Sequence, residues 1–170
     1  MDARSELKPS LIMKNGTSIE RRGDRELVVS RVVNGPAHLV FQAWSRADLF
    51  RQWWVPKSAC ANLLSCEVDV RVGGRYRLVF RFGEAEMAFF GTYREVIPNQ
   101  RIVWTNEEAG ANGQLSTVTF EEKHGKTLVV MSELYPSKQA LDEAMASGSQ
   151  DGTAETFEQL DAFVAAMPQG

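Results

Sequence analysis

The stretch from Asp151 to Met167 constrains this chain more than any other. Ala154, Phe157, Leu160, Val164 and Met167 recur at steps of three and four, which places them on one face of an α-helix. Glu155, Glu158, Gln159 and Asp161 fall largely off that stripe, so one side calls for water and the other for cover. At 1.5 Å per residue the helix is roughly 25 Å long, longer than a typical strand. A succession of short strand-like runs precedes it, several with one apolar face. A long one-sided helix arriving after a sheet is expected to lie across the sheet's concave side, which makes the chain α+β.

The 170 residues fit one domain with a short appendage, long enough to bury a core without disulfide staples. Nineteen basic against 22 acidic residues leave a formal charge of -3, and no dense Lys/Arg patch offers a field for phosphate; nucleic acid is not an expected partner. Cys60 and Cys66 are too few for a disulfide framework and lack a metal-site pattern, which fits a reducing, cytoplasmic setting. No apolar run approaches the ~18 residues of a membrane span. The first twenty residues scatter charges among apolar positions, so no secretory signal is expected.

Residues 1–24, with Pro9, Gly16 and Gly23, read as a loose N-terminal arm, and 25–167 as a single domain. Glu26 to Val33 is rich in β-branched residues and reads as the first strand. After Asn34-Gly35, Pro36 suits the start of a helix on which Ala37, Val40, Phe41 and Trp44 share a face. Ser45 is placed to cap a second short helix through Trp53, stopped by Pro56. A strand around Leu63 to Val70 leads to the turn at Gly73-Gly74. The run from Arg75 to Phe82 alternates most clearly: Tyr76, Leu78, Phe80 and Phe82 point one way, Arg75, Arg77 and Arg81 the other. Further strands are expected over Glu86 to Ile97 and Arg101 to Asn106, then a hairpin of Ser116 to Lys123 with Lys126 to Leu134 around His124-Gly125. Glu107 to Gln114 reads as a loop. Ser137 caps a short helix through Ala146, and Gly148 fits its C-terminal stop.

Several segments together match a known pattern. They are Ser30-Arg31-Val32-Val33 with Gly35-Pro36, then Val40-Phe41 with Ala43-Trp44, and Trp53-Trp54-Val55-Pro56. Asp69 to Arg77, Gly91 to Pro98, Arg101 to Thr105 and Ser137 to Phe163 continue it. In these the chain resembles the START-like, or SRPBCC, superfamily. More narrowly it resembles bacterial proteins similar to the C-terminal domain of the activator of heat-shock protein 90 ATPase. The resemblance covers about Glu26 to Ala165 and departs from the pattern at Asn99 and Thr153. It implies a helix-grip fold: a curved antiparallel sheet of about six or seven strands wrapped around the long C-terminal helix, with two short helices after the first strand. It also implies a cavity between that helix and the sheet.

The residues offer little for catalysis. His38 and His124 are explained by a helix flank and a hairpin turn, and no H-E-x-x-H, G-x-S-x-G or P-loop occurs. Neighbours on a strand face opposite ways, so Glu121-Glu122 and Glu107-Glu108 form no acid–base dyad. No catalytic residue, metal or cofactor is therefore assigned. The expected function is non-enzymatic binding of a small apolar or aromatic molecule. The candidate lining is Trp54, Tyr76, Phe80, Phe89, Tyr93, Trp104, Met131, Glu133, Thr156, Phe157 and Leu160. Two alternatives stand beside it. One is a chaperone-associated interaction module using the Arg75, Arg77 and Arg81 face or the arm. The other is a polyketide cyclase-like enzyme in which Tyr93, Arg77 or Glu133 acts as acid or base.

Overall fold

The computed structural model describes residues 11–59, 61–108 and 113–168. Among them the strands are β1 Leu11–Lys14, β2 Thr17–Arg22, β3 Glu26–Val33, β4 Asn62–Val68, β5 Arg75–Phe82, β6 Ala85–Ile97, β7 Arg101–Thr105, β8 Leu115–Lys123 and β9 Lys126–Leu134. They form one antiparallel sheet in the order β1-β2-β3-β9-β8-β7-β6-β5-β4. The helices are α1 Ala37–Ser45, α2 Ala47–Phe50, α3 Lys138–Ala146 and α4 Ser149–Ala165, with a 3₁₀ turn at Lys57–Ala59. Between β3 and β4 the chain crosses from mid-sheet to the far edge, carrying α1 and α2 over the inner face. It then returns strand by strand until β9 pairs with β3.

The long strand β6 is where the sheet changes course. Ala85 to Thr92 pair with β5, whereas Tyr93 to Ile97 pair with β7, and the β6–β7 register shifts between Tyr93 and Glu95. Such a bulge adds local twist and bends the strand. Gly91 sits at the crossover, where a Cβ would stand 1.9 Å from the Thr105 carbonyl oxygen, so only glycine admits this approach.

The sheet has more strands than expected because residues 11–22 form a hairpin, β1–β2, rather than a loose arm. Asn15 and Gly16 both take positive φ (51° and 85°), the geometry of a two-residue hairpin turn. The pattern is faint in sequence because Ile19 is the hairpin's one deeply buried large apolar residue. Polar contacts to the helices fasten it: Lys14 to Asp151 at 3.2 Å, Arg21 to Asp142 at 2.6 Å and Asn15 to Glu158 at 2.9 Å. Residues 1–10 of the expected arm, Cys60, and residues 109–112 of the expected loop lie outside the described residues.

Helix α4 packs on β3 and β2, with Ala154, Phe157, Leu160 and Val164 fully buried. Asp161, expected to face water, is buried instead. It accepts from Arg31 on β3 (3.0 and 3.1 Å) and from the Asn34 main-chain nitrogen (2.8 Å). The helix after α1 is also shorter than expected: α2 covers only Ala47–Phe50 and follows Arg46, while Ser45 closes α1 and caps nothing. Ser137 does cap α3, its Oγ accepting from Ala140 N at 3.0 Å. Among the described residues no helix is long and apolar enough to cross a membrane.

Candidate functional site

The crossing segment and the β4–β7 end of the sheet enclose a cavity of about 310 Å³, within the usual range of small-molecule sites. Its floor comes from the period-two alternation of β5, which turns Tyr76, Leu78, Phe80 and Phe82 to one side. Phe89 and Tyr93 of β6, Val68 of β4, and Ile102 and Trp104 of β7 extend it. The opposite wall is Trp44 from α1, Phe50 from α2, and Trp54, Val55 and Pro56 from the segment that follows.

Trp44 holds this wall together. Its ring lies within 6.4 Å, centroid to centroid, of Phe50, Trp53, Trp54, Trp104, Phe120 and Phe157, mostly edge to face. Its Nε1 is buried among the rings with no hydrogen-bond partner. By contrast, Trp53 Nε1 donates to the Ala43 carbonyl at 3.0 Å. Phe50 and Trp54 stack at 4.8 Å.

The C-terminal helix shapes the cavity from behind. Gln159 donates to the carbonyls of Trp53 (2.9 Å) and Val55 (2.8 Å) and accepts from Lys57 N (2.9 Å). Thr156 donates to the Trp54 carbonyl at 3.1 Å. Glu155 accepts from both the main-chain nitrogen and the hydroxyl of Ser58, and these bonds hold its carboxyl below the usual range. Polar residues that looked solvent-directed in sequence thus grip the segment that forms the cavity wall.

Polar groups gather at one end. The Tyr76 hydroxyl lies 2.8 Å from the Thr105 carbonyl and 3.1 Å from Asn106 Oδ1. Asn106 Nδ2 donates to Gln114 O (3.1 Å) and Ser116 Oγ (3.0 Å), and Gln114 Nε2 donates to Glu133 Oε2 (2.5 Å). Burial pushes the Glu133 carboxyl up to about 7, opposed by the Gln114 bond. Burial also raises both the Tyr76 and Tyr93 phenols well above their usual range, so each is a neutral hydroxyl. Cys66, partly buried, has its thiol pushed up by burial and is no activated nucleophile.

Six of the expected lining residues border the cavity: Trp54, Tyr76, Phe80, Phe89, Tyr93 and Trp104. Five do not, and none of those bordering it comes from α4, which corrects the expected location between helix and sheet. Phe157 and Leu160 are fully buried core, Met131 is buried under the helices, and Thr156 is spent on Trp54. Glu133 shares the inner face of β9 but touches the cavity only through the Gln114–Asn106–Tyr76 chain. The sequence reading missed Trp44, Phe50, Leu78, Ile102 and Asn106. Of these, Leu78 shared the alternation that revealed Tyr76 and Phe80. His38 and His124 are exposed, and among the described residues no cluster of His, Cys, Asp or Glu is placed to hold a metal.

A large antiparallel sheet with a C-terminal helix packed across it, and an aromatic chamber alongside, defines an α+β protein consistent with the helix-grip arrangement. The chain belongs to the family described as Activator of Hsp90 ATPase homolog 1-like protein, which matches residues 34–165. No curated protein matches it. Among solved structures it is similar to a protein from Rhodobacter sphaeroides (TM-score 0.81, 20% identity, covering 89% of this chain and 99% of that one). A protein from Nitrosomonas europaea is similar at TM-score 0.76 and 20% identity, covering 85% and 97%. The AHSA1-like protein from Aeromonas hydrophila is similar at TM-score 0.65 and 21% identity, covering 82% and 92%. At these identities the likeness is one of fold.

Proposed function

We propose that this chain binds a small apolar or aromatic molecule, without transforming it, in the chamber between the α1–α2 segment and strands β4–β7. The observation that carries the reading is the wall itself: Trp44, Phe50, Trp54, Phe80, Phe89 and Trp104 surround about 310 Å³ of open space. Covering a ligand's apolar surface there yields about 25 cal/mol per Å² removed from water. The superfamily resemblance supports a cavity in this fold, although it implied one between the C-terminal helix and the sheet. A cytoplasmic setting accompanies the proposal.

Titration with the neutral dye N-phenyl-1-naphthylamine tests it, reading energy transfer from the chamber's tryptophans. Leu78→Trp, which fills the floor, should abolish binding while leaving the melting temperature near that of the parent. Failure of the dye to bind the parent, or equal binding by both proteins, sinks the reading. Native mass spectrometry of protein from its own host should show a retained small molecule.

The family's description supports a second reading, stimulation of a chaperone ATPase. The exposed Arg75, Arg77 and Arg81 face is its surface, although Arg75 pairs with Glu107 (3.8 Å) and Arg81 with Glu86 (3.2 Å). An ATPase assay of the host's heat-shock protein 90 homologue, with this protein and with an Arg77→Glu variant, tests it. An unchanged rate on adding the parent protein removes it.

A further inference from the structure

Among the described residues, the chamber's wall carries no side chain that is charged at neutral pH. Its polar inventory is correspondingly short. Asn106 is fully engaged: its oxygen faces the Tyr76 hydroxyl, and its two amide hydrogens go to Gln114 O and Ser116 Oγ. The Tyr76 proton is held by the Thr105 carbonyl or Asn106. The Trp44 indole nitrogen is sealed in protein and out of a ligand's reach. Tyr93 differs. It is 94% buried, at 6% relative exposure, and lines the chamber. Its hydroxyl has no hydrogen-bond partner among the described residues, yet it is not one of the polar atoms sealed inside the protein.

The carboxylates that act on these phenols, Asp69 on Tyr93 and Glu107 and Glu108 on Tyr76, stand outside the chamber's wall. They oppose an incoming anion. None of the three offers a partner to a cation in the chamber: Asp69 is paired with Arg71 at 2.9 Å, Glu107 with Arg75 at 3.8 Å, and Glu108 is exposed and accepts from the Phe90 main-chain nitrogen at 3.2 Å. An ion of either sign entering the chamber loses its water without gaining a counter-charge. A neutral group able to donate or accept at Tyr93 satisfies the one hydroxyl that the described residues of the wall leave without a partner.

We infer that the chamber selects an uncharged ring compound bearing a hydrogen-bonding oxygen, and that the Tyr93 hydroxyl is the specificity-determining group that reads this oxygen. The inference rests on the binding function proposed above and names its ligand class.

Equilibrium dialysis at pH 7 with naphthalene, 2-naphthol, 2-naphthoate and 2-naphthylmethylammonium separates the two. These four probes keep one ring system and change only its polar group. The parent protein should bind naphthalene, and 2-naphthol about five- to tenfold more tightly, the effect of one added hydrogen bond. Both charged probes should bind about 100-fold more weakly than 2-naphthol, or more weakly still. Tyr93→Phe should reduce 2-naphthol to the naphthalene level and leave naphthalene unchanged. Charged probes binding as tightly as 2-naphthol, or a Tyr93→Phe variant that keeps the 2-naphthol preference, overturn the selectivity while leaving the chamber a binding site. Failure of both neutral probes to bind the parent overturns the binding function and this inference with it.

Discussion

The carboxamide of Gln159 on the C-terminal helix spans the main chain from Trp53 to Lys57, with its nitrogen 2.9 Å from the Trp53 carbonyl. One side chain thus makes three hydrogen bonds to the segment that walls the aromatic chamber. No described side chain of the helix lines the chamber, and Gln159 still fixes where its wall stands.

Replacing Gln159 with Ala should therefore separate global from local stability. Partly exposed hydrogen bonds each contribute about 0.5–1.5 kcal/mol, so losing three is expected to cost about 1.5–4.5 kcal/mol in urea unfolding. Hydrogen exchange should rise selectively at residues 53–59. Uniform acceleration across the sheet would mean the contact supports the whole core and not the wall.

Trp44 should show a sharp asymmetry between two substitutions. Trp44→Ala removes a ring packed against six others and should cost about 3–5 kcal/mol. Trp44→Phe keeps an aromatic and deletes the buried, unpartnered Nε1, which recovers a desolvation cost of about 1–3 kcal/mol against the volume lost. Its stability should lie within about 1.5 kcal/mol of the parent. Equal damage from both would show that the indole nitrogen has a partner after all.

These contacts also show what the sequence revealed and what it hid. The alternation of β5 made Tyr76 and Phe80 legible as inward-facing, because a strand's period of two is a local property. The stripe on α4 was legible for the same kind of reason, and so was its demand for cover. What supplies that cover is not local. The β1–β2 hairpin and the α1 face reach the helix from distant positions, leaving Phe157 and Leu160 fully buried and the chamber displaced toward β4–β7. Met131 and Glu133 were read on the correct face of β9. That strand lies mid-sheet beside β3, however, away from the chamber. Strand order, unlike strand periodicity, has no signature in a short window of residues.

Asp161 tests the same point from the polar side. It looks like a surface residue by helical position, yet it is 8% exposed and holds Arg31 and Asn34. Asp161→Ala leaves the Arg31 guanidinium without its carboxylate in a largely dry site, which typically costs about 3–5 kcal/mol. Glu158→Ala on the same helix loses only an exposed bond to Asn15 and should cost less than about 1 kcal/mol. Comparable losses in chemical denaturation would contradict the structural role assigned to Asp161.

Glu133 should make stability fall as pH rises through neutrality. Burial raises its carboxyl from the ordinary value of 4.5 to about 7 in the folded chain. Between those values the folded state binds the proton that the unfolded state has released, so unfolding becomes easier with each step upward in pH. The contribution is fully present below about pH 4.5 and lost as pH passes 7, amounting to at most about 3 kcal/mol. Glu133→Gln carries no titrating proton and can still accept from Gln114, so it should flatten this part of the profile. The comparison is urea unfolding of both proteins at pH 5, 6, 7 and 8, taking the difference between them so that other titrating groups cancel. The parent should lose stability relative to the variant across that range. A constant difference would mean that Glu133 is ionised throughout, with water reaching the end of the Tyr76–Asn106–Gln114 chain.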